Sequence, residues 1–508
     1  MRNFQRTALA STINLFLLGI PTAQAADVEA LERRIRELEL RLEKLEPKAA
    51  AAPVAVAPAP APEMDKLKRQ VNTLERKLEV QDEVNTAALK KLPVFDVGDH
   101  GFRMSSADKK HQLRIRGSIQ ADGHFFVDDD QHKNTDSFDL KQARIWLEGY
   151  VFKNIFYKIM PDFAATGNIL PDAYVDYAYD PALSFLIGKF KPALSLERLQ
   201  GDSDGTFLER AFPTYLASNR DVGFQIHGAF AKPGYTVEAI PGPIDAKNFF
   251  IYQLGVDNGS GDDGSPNNNS PDVNDNKEFV GRIFMHPFQH TNDWLDGFGV
   301  GIAGTTDDPN KENLRNQATP LGRTTYLNYT NTFKNSKGVA YSAPLADGER
   351  HRIYPQAYWY AGPFGLMAEY VLSSQHLSGS NKKGQRVNVQ QNNKAWQVFT
   401  SYMLTGEDNS FGAVKPISNF SPLAGQWGAL QFAARWTEMA IDSSTFQVID
   451  PNLAANHATA WALGFNWFLN PYAIIRADYE QVSFQGGAAK GANRPTEQVF
   501  ATRFQLAF

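Results

Sequence analysis

The sequence predicts an all-β fold, a transmembrane antiparallel β-barrel of about 16 strands, preceded by an N-terminal coiled-coil helical extension. Three observations lead there. Apolar and polar residues alternate with period two in many short segments from about His111 to the end. The connections between those segments alternate between short turns and long polar loops. The chain is polar on average, with a mean hydropathy of -0.38, yet 12% of its 508 residues are aromatic, including 35 Phe and 18 Tyr. An apolar outer face, a polar lumen and aromatic girdles produce that pairing.

Residues 1–25 read as a signal peptide: Arg2 and Arg6, an apolar core from Ala8 to Ile20, then Ala23-Gln24-Ala25 as a cleavage site. Beyond it no apolar run is long enough for a membrane-spanning helix. Residues 26–93 read as periplasmic coiled-coil segments joined by a spacer. Val28, Leu31, Ile35, Leu38, Leu42 and Leu45 form one narrow seam, and Met64, Leu67, Val71, Leu74 and Leu78 a second that weakens through Gln81, Asn85, Ala88 and Leu92. Pro47 to Pro62 alternates Pro with Ala and Val, which stops helix and favours an extended spacer. Ile35 and Val71 at one seam position with Leu38 and Leu74 at the other favour two strands over three.

Residues 94–508 are assigned to the barrel. In the first strand Leu113, Ile115, Gly117, Ile119 and Ala121 share one face, and Arg114, Arg116, Ser118, Gln120 and Asp122 the other. The pattern recurs at Ala143–Val151, Ile155–Phe163, Ala173–Tyr179, Phe279–Met285, Leu366–Tyr370, Ala473–Tyr479 and Phe500–Phe508. Short turns are expected at Lys153-Asn154, Asp180-Pro181, Lys232-Pro233-Gly234, His286–Asp296, Gly362-Pro363 and Asn470-Pro471. Long loops are expected at 128–136, 164–170, 192–219, 258–277, 305–350, 377–392, 442–454 and 485–497. Thr405–Gln426 is long where a short turn is due. Eight outer loops imply sixteen strands.

The 192–219 connection holds Glu197, Arg198, Asp202, Asp204, Glu209 and Arg210 beside Leu194, Leu196, Phe207, Leu208 and Phe212. It has apolar residues to pack and charges to present, so it suits a loop that folds into the barrel and narrows it. Lys189 and Lys191 at the end of the fifth strand, with Arg198, Arg210 and Arg220, are the candidate constriction and anion-binding residues. Their structural alternative is pairing with Glu197, Glu209 and Asp221 to hold the loop. By alternation Arg114, Arg116, Arg144, Lys158, Arg282, Arg435, Arg476 and Arg503 face the lumen, alongside Asp122, Glu148, Asp162, Asp172, Asp176, Glu369, Asp478 and Glu480. Setting aside residues 1–93 leaves 36 basic residues against 43 acidic, so bulk charge does not argue for anions, and any preference must be local.

Catalysis and metal binding find little support. There is no cysteine, and no H-E-x-x-H, G-x-S-x-G or P-loop pattern. One G-x-G-x-x-G run, Gly299 to Gly304, lies within a strand and leads into TTDDPN rather than a helix, so it reads as barrel wall. The Asp/Asn/Gly-rich stretch from Asp257 to Asn276 fits no calcium-loop spacing. No cofactor, no metal, no catalytic residue and no nucleic-acid partner is expected.

GKFKPALSLERL, the following FLER, NRDVGFQIHG, LRIRGSIQADGHFF (Leu113–Phe126), ARIWLEGYVFKNIFYKIMPDF (Ala143–Phe163) and the C-terminal strand VFATRFQLAF resemble the phosphate-selective porin O and P family over roughly residues 111–508. The resemblance implies a channel in the bacterial outer membrane, with the stalk in the periplasm. It also implies a third loop bent into the barrel, a homotrimer and recognition of the terminal aromatic strand by the barrel assembly machinery. The expected function is diffusion of small hydrophilic solutes, anions such as phosphate among them. The alternative is a structural tether whose stalk contacts peptidoglycan, with a non-selective pore.

Overall fold

The computed structural model describes residues 32–41, 61–98, 101–127, 134–165, 169–237, 248–259, 275–291 and 294–508. The signal peptide, heptad positions Val28, Leu31, Leu42 and Leu45, the spacer as far as residue 60 and most of the 258–277 loop lie outside them. The chain divides into two compact units, Met1–Val94 with Ser106–Asp108 and Phe95–Ser105 with Lys109–Phe508. In the first, residues 32–41 and Ala61–Leu89 are helical. Ala61 and Pro62 therefore belong to the helix rather than to the spacer, because proline is tolerated in a first turn. Ile35 and Val71, both expected seam residues, are each 9% exposed.

The second unit is a closed antiparallel barrel. Its wall strands are β1 Gln112–Val127, β2 Ser137–Val151, β3 Ile155–Met160, β4 Asp172–Asp180, β5 Leu183–Phe190, β6 Asp221–Phe230, β7 Phe250–Asp257 and β8 Glu278–Met285. They continue with β9 Phe298–Asp307, β10 Leu345–Ala361, β11 Phe364–Ser380, β12 Arg386–Met403, β13 Ala429–Ala440, β14 Ala455–Phe468, β15 Ala473–Gly486 and β16 Glu497–Ala507. Each pairs with the next, and β16 pairs with β1, with Arg503 opposite Asp122. Closure removes every free edge, as spanning a bilayer with strands requires. The seam is completed by Phe508 and Gly117, which exchange two backbone hydrogen bonds of 2.9 Å. A Cβ on Gly117 would lie 2.6 Å from the Phe508 ring, so glycine leaves room for the terminal aromatic.

Alternation sorts the wall as expected. Phe279 and Ile283 on β8 are 58% and 48% exposed on the outside, while Val280 and Arg282 between them are buried. Gly299 to Gly304 lies within β9. Two connections depart from expectation. After the turn placed at Lys232-Pro233-Gly234 the next described strand starts only at Phe250, with residues 238–247 outside the described residues. Conversely, the loop expected at 377–392 shrinks to 381–385, because β11 and β12 run on and bury Leu377 and Val389 on their inner side. The apolar-polar run Thr324–Phe333 supplies only a short strand, Thr325–Leu327, paired with Gln317–Ala318 within the 308–344 loop.

The lumen is not evenly filled. Leu194, Phe212 and Leu216 from the 191–220 loop pack with Tyr326, Leu327 and Tyr329 from the 308–344 loop. Val371, Leu377, Val389 and Met439 from the β11–β13 wall and Ile441, Val448 and Ile449 beyond it complete that core. Apolar side chains thus occupy the β11–β15 side and leave the polar space against β1, β2 and β16.

Candidate pore constriction

The 191–220 loop folds inward because its sequence supplies both anchors and caps. Leu194 and Leu196 are fully buried and Leu199 is 2% exposed. Ser195 caps a single helical turn, Leu196–Leu199, and Pro213 opens a second short turn, Phe212–Leu216. The first turn docks on the far wall. Glu369 of β11 accepts from Leu196 N at 2.8 Å and from Ser195 Oγ at 3.0 Å, and Gln397 Nε2 bridges Glu369 and Glu197 at 3.1 and 2.8 Å.

Further along, the wall grips the loop backbone. Leu208 N donates to Asp478 at 2.7 Å, Asn466 Nδ2 to the Thr206 carbonyl at 2.9 Å and Arg435 to the Glu209 carbonyl at 2.8 Å. Arg476 donates to the Ser203 carbonyl at 2.7 Å and Arg503 to the Leu208 carbonyl at 2.8 Å. Three of the arginines expected in the lumen therefore position the loop. The others also face inward and are paired there. Arg114 and Arg116 lie 3.5 and 3.3 Å from Glu148, and Lys158 is 3.1 Å from Asp172. Arg144 is 2.8 Å from Asp162, and Arg282 donates to Gln356 and Gln253 at 3.0 and 2.8 Å.

Asp202 is the ionic hub of the loop. Arg144 and Arg210 donate to it directly, Lys191 lies 3.5 Å away and Arg220 3.9 Å. Burial alone would raise its carboxyl, but Lys191, Arg144, Arg210 and Arg220 hold it well below the usual carboxylate range. A second hub is Glu209, which meets Lys141 at 2.6 Å, Arg323 at 2.7 Å and Arg503 at 3.3 Å. Those cations overcome its burial in the same way. Beside the partners anticipated for the candidate cations, of which Glu197 accepts from Arg210 through its carbonyl at 3.1 Å and Asp221 lies near Lys189, Asp202 and Asp172 join the network, Asp172 at 2.6 Å from Arg220.

Arg198, Arg210 and Arg220 line a cavity of about 510 Å³ beside the loop. Lys191 does not. Its ammonium turns under the loop, donating to the Arg198 and Gln200 carbonyls at 2.8 and 3.2 Å. Lys189 is absent from the lining too: its register partners are Ala173 and Val222, in the row of Ile187, yet its side chain is buried, at 8% exposure, near Arg220, Asp221 and Asp172. The cavity also has cationic lining that alternation missed, namely Lys141, Arg315 and Arg323. With Arg144 and Arg503 these make eight basic residues against five acidic ones, Asp139, Asp162, Glu197, Asp202 and Glu209. Arg198 shows the consequence. Burial, with Arg315, Arg210 and Arg220 beside it, pushes its guanidinium well below the usual range. Asp122, His124 and Asp139 bring three ligand-type atoms within 4.8 Å. Asp122, however, already accepts from Arg503 at 2.6 Å and from Arg323 at 3.1 Å, a pair of cations that repels a metal ion.

A closed sixteen-stranded barrel with lipid-facing outer rows and a loop-narrowed polar lumen defines an outer-membrane channel. The sequence profile of the family described as phosphate-selective porin O and P matches residues 113–508, and the chain belongs to that family. Among solved structures it is similar to OmpT of Vibrio cholerae, at 9% identity and a TM-score of 0.47 over 78% of this chain and 98% of that one. It is also similar to the outer-membrane channel DcaP of Acinetobacter baumannii, at 11% identity and a TM-score of 0.45 over 78% and 97%. The anion-selective porin from Comamonas acidovorans matches at 10% identity and a TM-score of 0.44 over 78% and 99%. No curated protein matches the chain.

Proposed function

We propose that the channel favours anions, phosphate among them, and that the 510 Å³ cavity beside the third loop is where the preference arises. One observation carries this reading: the cavity has eight basic residues against five acidic, although residues 94–508 as a whole are net acidic. A local excess of fixed cations between low-dielectric walls focuses potential and offsets the water that an anion sheds on entering. Arg198, Arg210 and Arg220, with Lys141, Arg315 and Arg323, supply that excess, while Lys189 and Lys191 act through the shape of the wall and loop. The description of the matched family as phosphate-selective agrees with this reading. In planar bilayers, millimolar phosphate should reduce chloride current through the open channel. Chloride current unchanged by phosphate would leave a channel without phosphate preference.

The working unit is proposed to be a homotrimer. Strands β3, β4 and β5 have six, nine and eight residues, against 17, 17 and 18 in β10, β11 and β12. A six-residue strand is about 20 Å long and, tilted by about 40°, spans roughly 15 Å, short of an apolar band of about 25 Å. A neighbouring barrel against that low wall resolves the mismatch. The helical segments then lie in the periplasm as a coiled-coil stalk, with peptidoglycan as a contact, and the barrel assembly machinery reads the C-terminal strand. Light scattering in mild detergent tests the assembly, and a monomer would defeat it.

A further inference from the structure

The connection 404–428 lies at the turn end of the barrel and crosses the rim. Its first half is inside. Asn409 donates to Ser401 Oγ at 2.9 Å, Phe411 stacks on Tyr358 at 5.0 Å, and the Phe411 carbonyl accepts from Gln200 of the third loop at 2.7 Å. Val414 is buried with Met403 and Phe468. Its second half is outside. Phe420 packs edge-on against Trp467 at 5.2 Å, and Trp467 Nε1 donates to the Trp427 carbonyl at 2.7 Å. Trp467 shares the outward row of Leu463 and Phe465, the lipid-facing row of β14.

Beyond that contact Ile417 is 75% exposed and Trp427 57%. Leu423, in a short turn closed by the Ser421–Gln426 bridge, is 102% exposed. From Pro416 to Gly428 there is no charged residue, in a chain that is 21% charged. Water is a poor environment for so many bare apolar side chains. A tryptophan, a phenylalanine and branched aliphatics gathered at the end of a lipid-facing strand suit the headgroup boundary, where one end of a ring is apolar and the other wet.

We propose that residues 417–427 are a membrane-interface anchor, seated at the acyl–headgroup boundary of the periplasmic phospholipid leaflet, that tethers the lumen arm 407–414 of the same connection. The occupant is lipid because the patch continues the outward row of β14, itself in contact with lipid. The arm it tethers touches the loop that narrows the pore, so the leaflet is coupled to the constriction through one short segment.

The chain has no cysteine, so single labels are unambiguous. A nitroxide on Leu423→Cys, in liposomes of phosphatidylethanolamine and phosphatidylglycerol, should be relaxed more by oxygen than by a water-soluble nickel chelate. It should match Phe465→Cys and oppose Lys383→Cys at the 381–385 hairpin. Relaxation favouring nickel, or shielding from both reagents by a second copy or another protein, overturns the anchor. For the tether, a nitroxide on Ala413→Cys should show a narrower spectrum when Ile417 and Leu423 are both aspartate. An unchanged line shape in a barrel that remains heat-modifiable overturns it.

Discussion

Replacing Lys141 with methionine removes one positive charge from the cavity lining without shortening the side chain. Its partner Glu209 keeps Arg323 at 2.7 Å and Arg503 at 3.3 Å, so the third loop stays attached. A cavity of about 510 Å³ is equivalent to a sphere of about 5 Å radius, which places a lining charge roughly 6 Å from its centre. In water a unit charge at about 6 Å changes the energy of a monovalent ion by about 0.7 kcal/mol, and screening with a Debye length of about 8 Å roughly halves this. Anions and cations shift in opposite senses, so their permeability ratio should move by about 0.7 kcal/mol, about threefold towards cations. The assay is the zero-current potential of single channels in a tenfold KCl gradient. Neutralising Lys382 and Lys383 on the exposed 381–385 hairpin provides the control and should leave that potential unchanged. An unaltered potential in Lys141→Met, or an equal shift in the control, refutes the assignment of selectivity to the cavity.

Three further outcomes follow from the same contacts. Glu369→Ala leaves Ser195 Oγ and Leu196 N without their acceptor and Gln397 Nε2 with Glu197 alone, at a cost of about 1–3 kcal/mol; noisier, larger single-channel currents are expected, and wild-type traces would contradict the docking role. The Asp202 and Glu209 carboxyls are held low in the folded protein, so the stability they contribute is present above the ordinary carboxylate range and is lost as pH falls through their depressed values. Heat-modifiability on gels should therefore be insensitive to both groups between pH 7 and about 4 and decline below that, whereas a loss already near pH 6 with Asp202→Asn unchanged would contradict the sign. Deleting Phe508 removes the paired bonds to Gly117 and the edge contact with Phe102 at 6.4 Å. Barrel yield should drop while the channels that do assemble conduct normally, and normal yield would count against a closing role.

The barrel was legible because a wall with lipid on one side and water on the other imposes period two, strand after strand. The inward direction of Arg114, Arg435, Arg476 and Arg503 followed from that parity. Lys141 escaped it for a physical reason. The β1–β2 register shifts between Gln120 and Ala121, with Gln120 opposite Gln142 and Ala121 opposite Leu140, so Lys141 is an extra, bulged residue whose parity misleads. Lys189 pairs with Ala173 and Val222, in the row of Ile187, yet it is buried near Arg220, Asp221 and Asp172 just after Gly188, whose φ is 131°, so alternation alone does not place it. Arg315 and Arg323 come from the 308–344 loop, where no periodicity tells which way a side chain points. Loop ends were misjudged where strands outrun the membrane, since the polar outer rows of β11 and β12 read as loop although Leu377 and Val389 continue the inner core.

Anion preference in this channel requires the local excess of cations to outweigh a net acidic barrel. The zero-current potential of the wild-type channel in a tenfold KCl gradient tests this most directly, because its sign reports which ion the constriction favours. The expected result is the sign of an anion-selective pore, with a displacement that shrinks as ionic strength rises and the cavity charges are screened. A cation-selective sign, or a potential at zero, would contradict it.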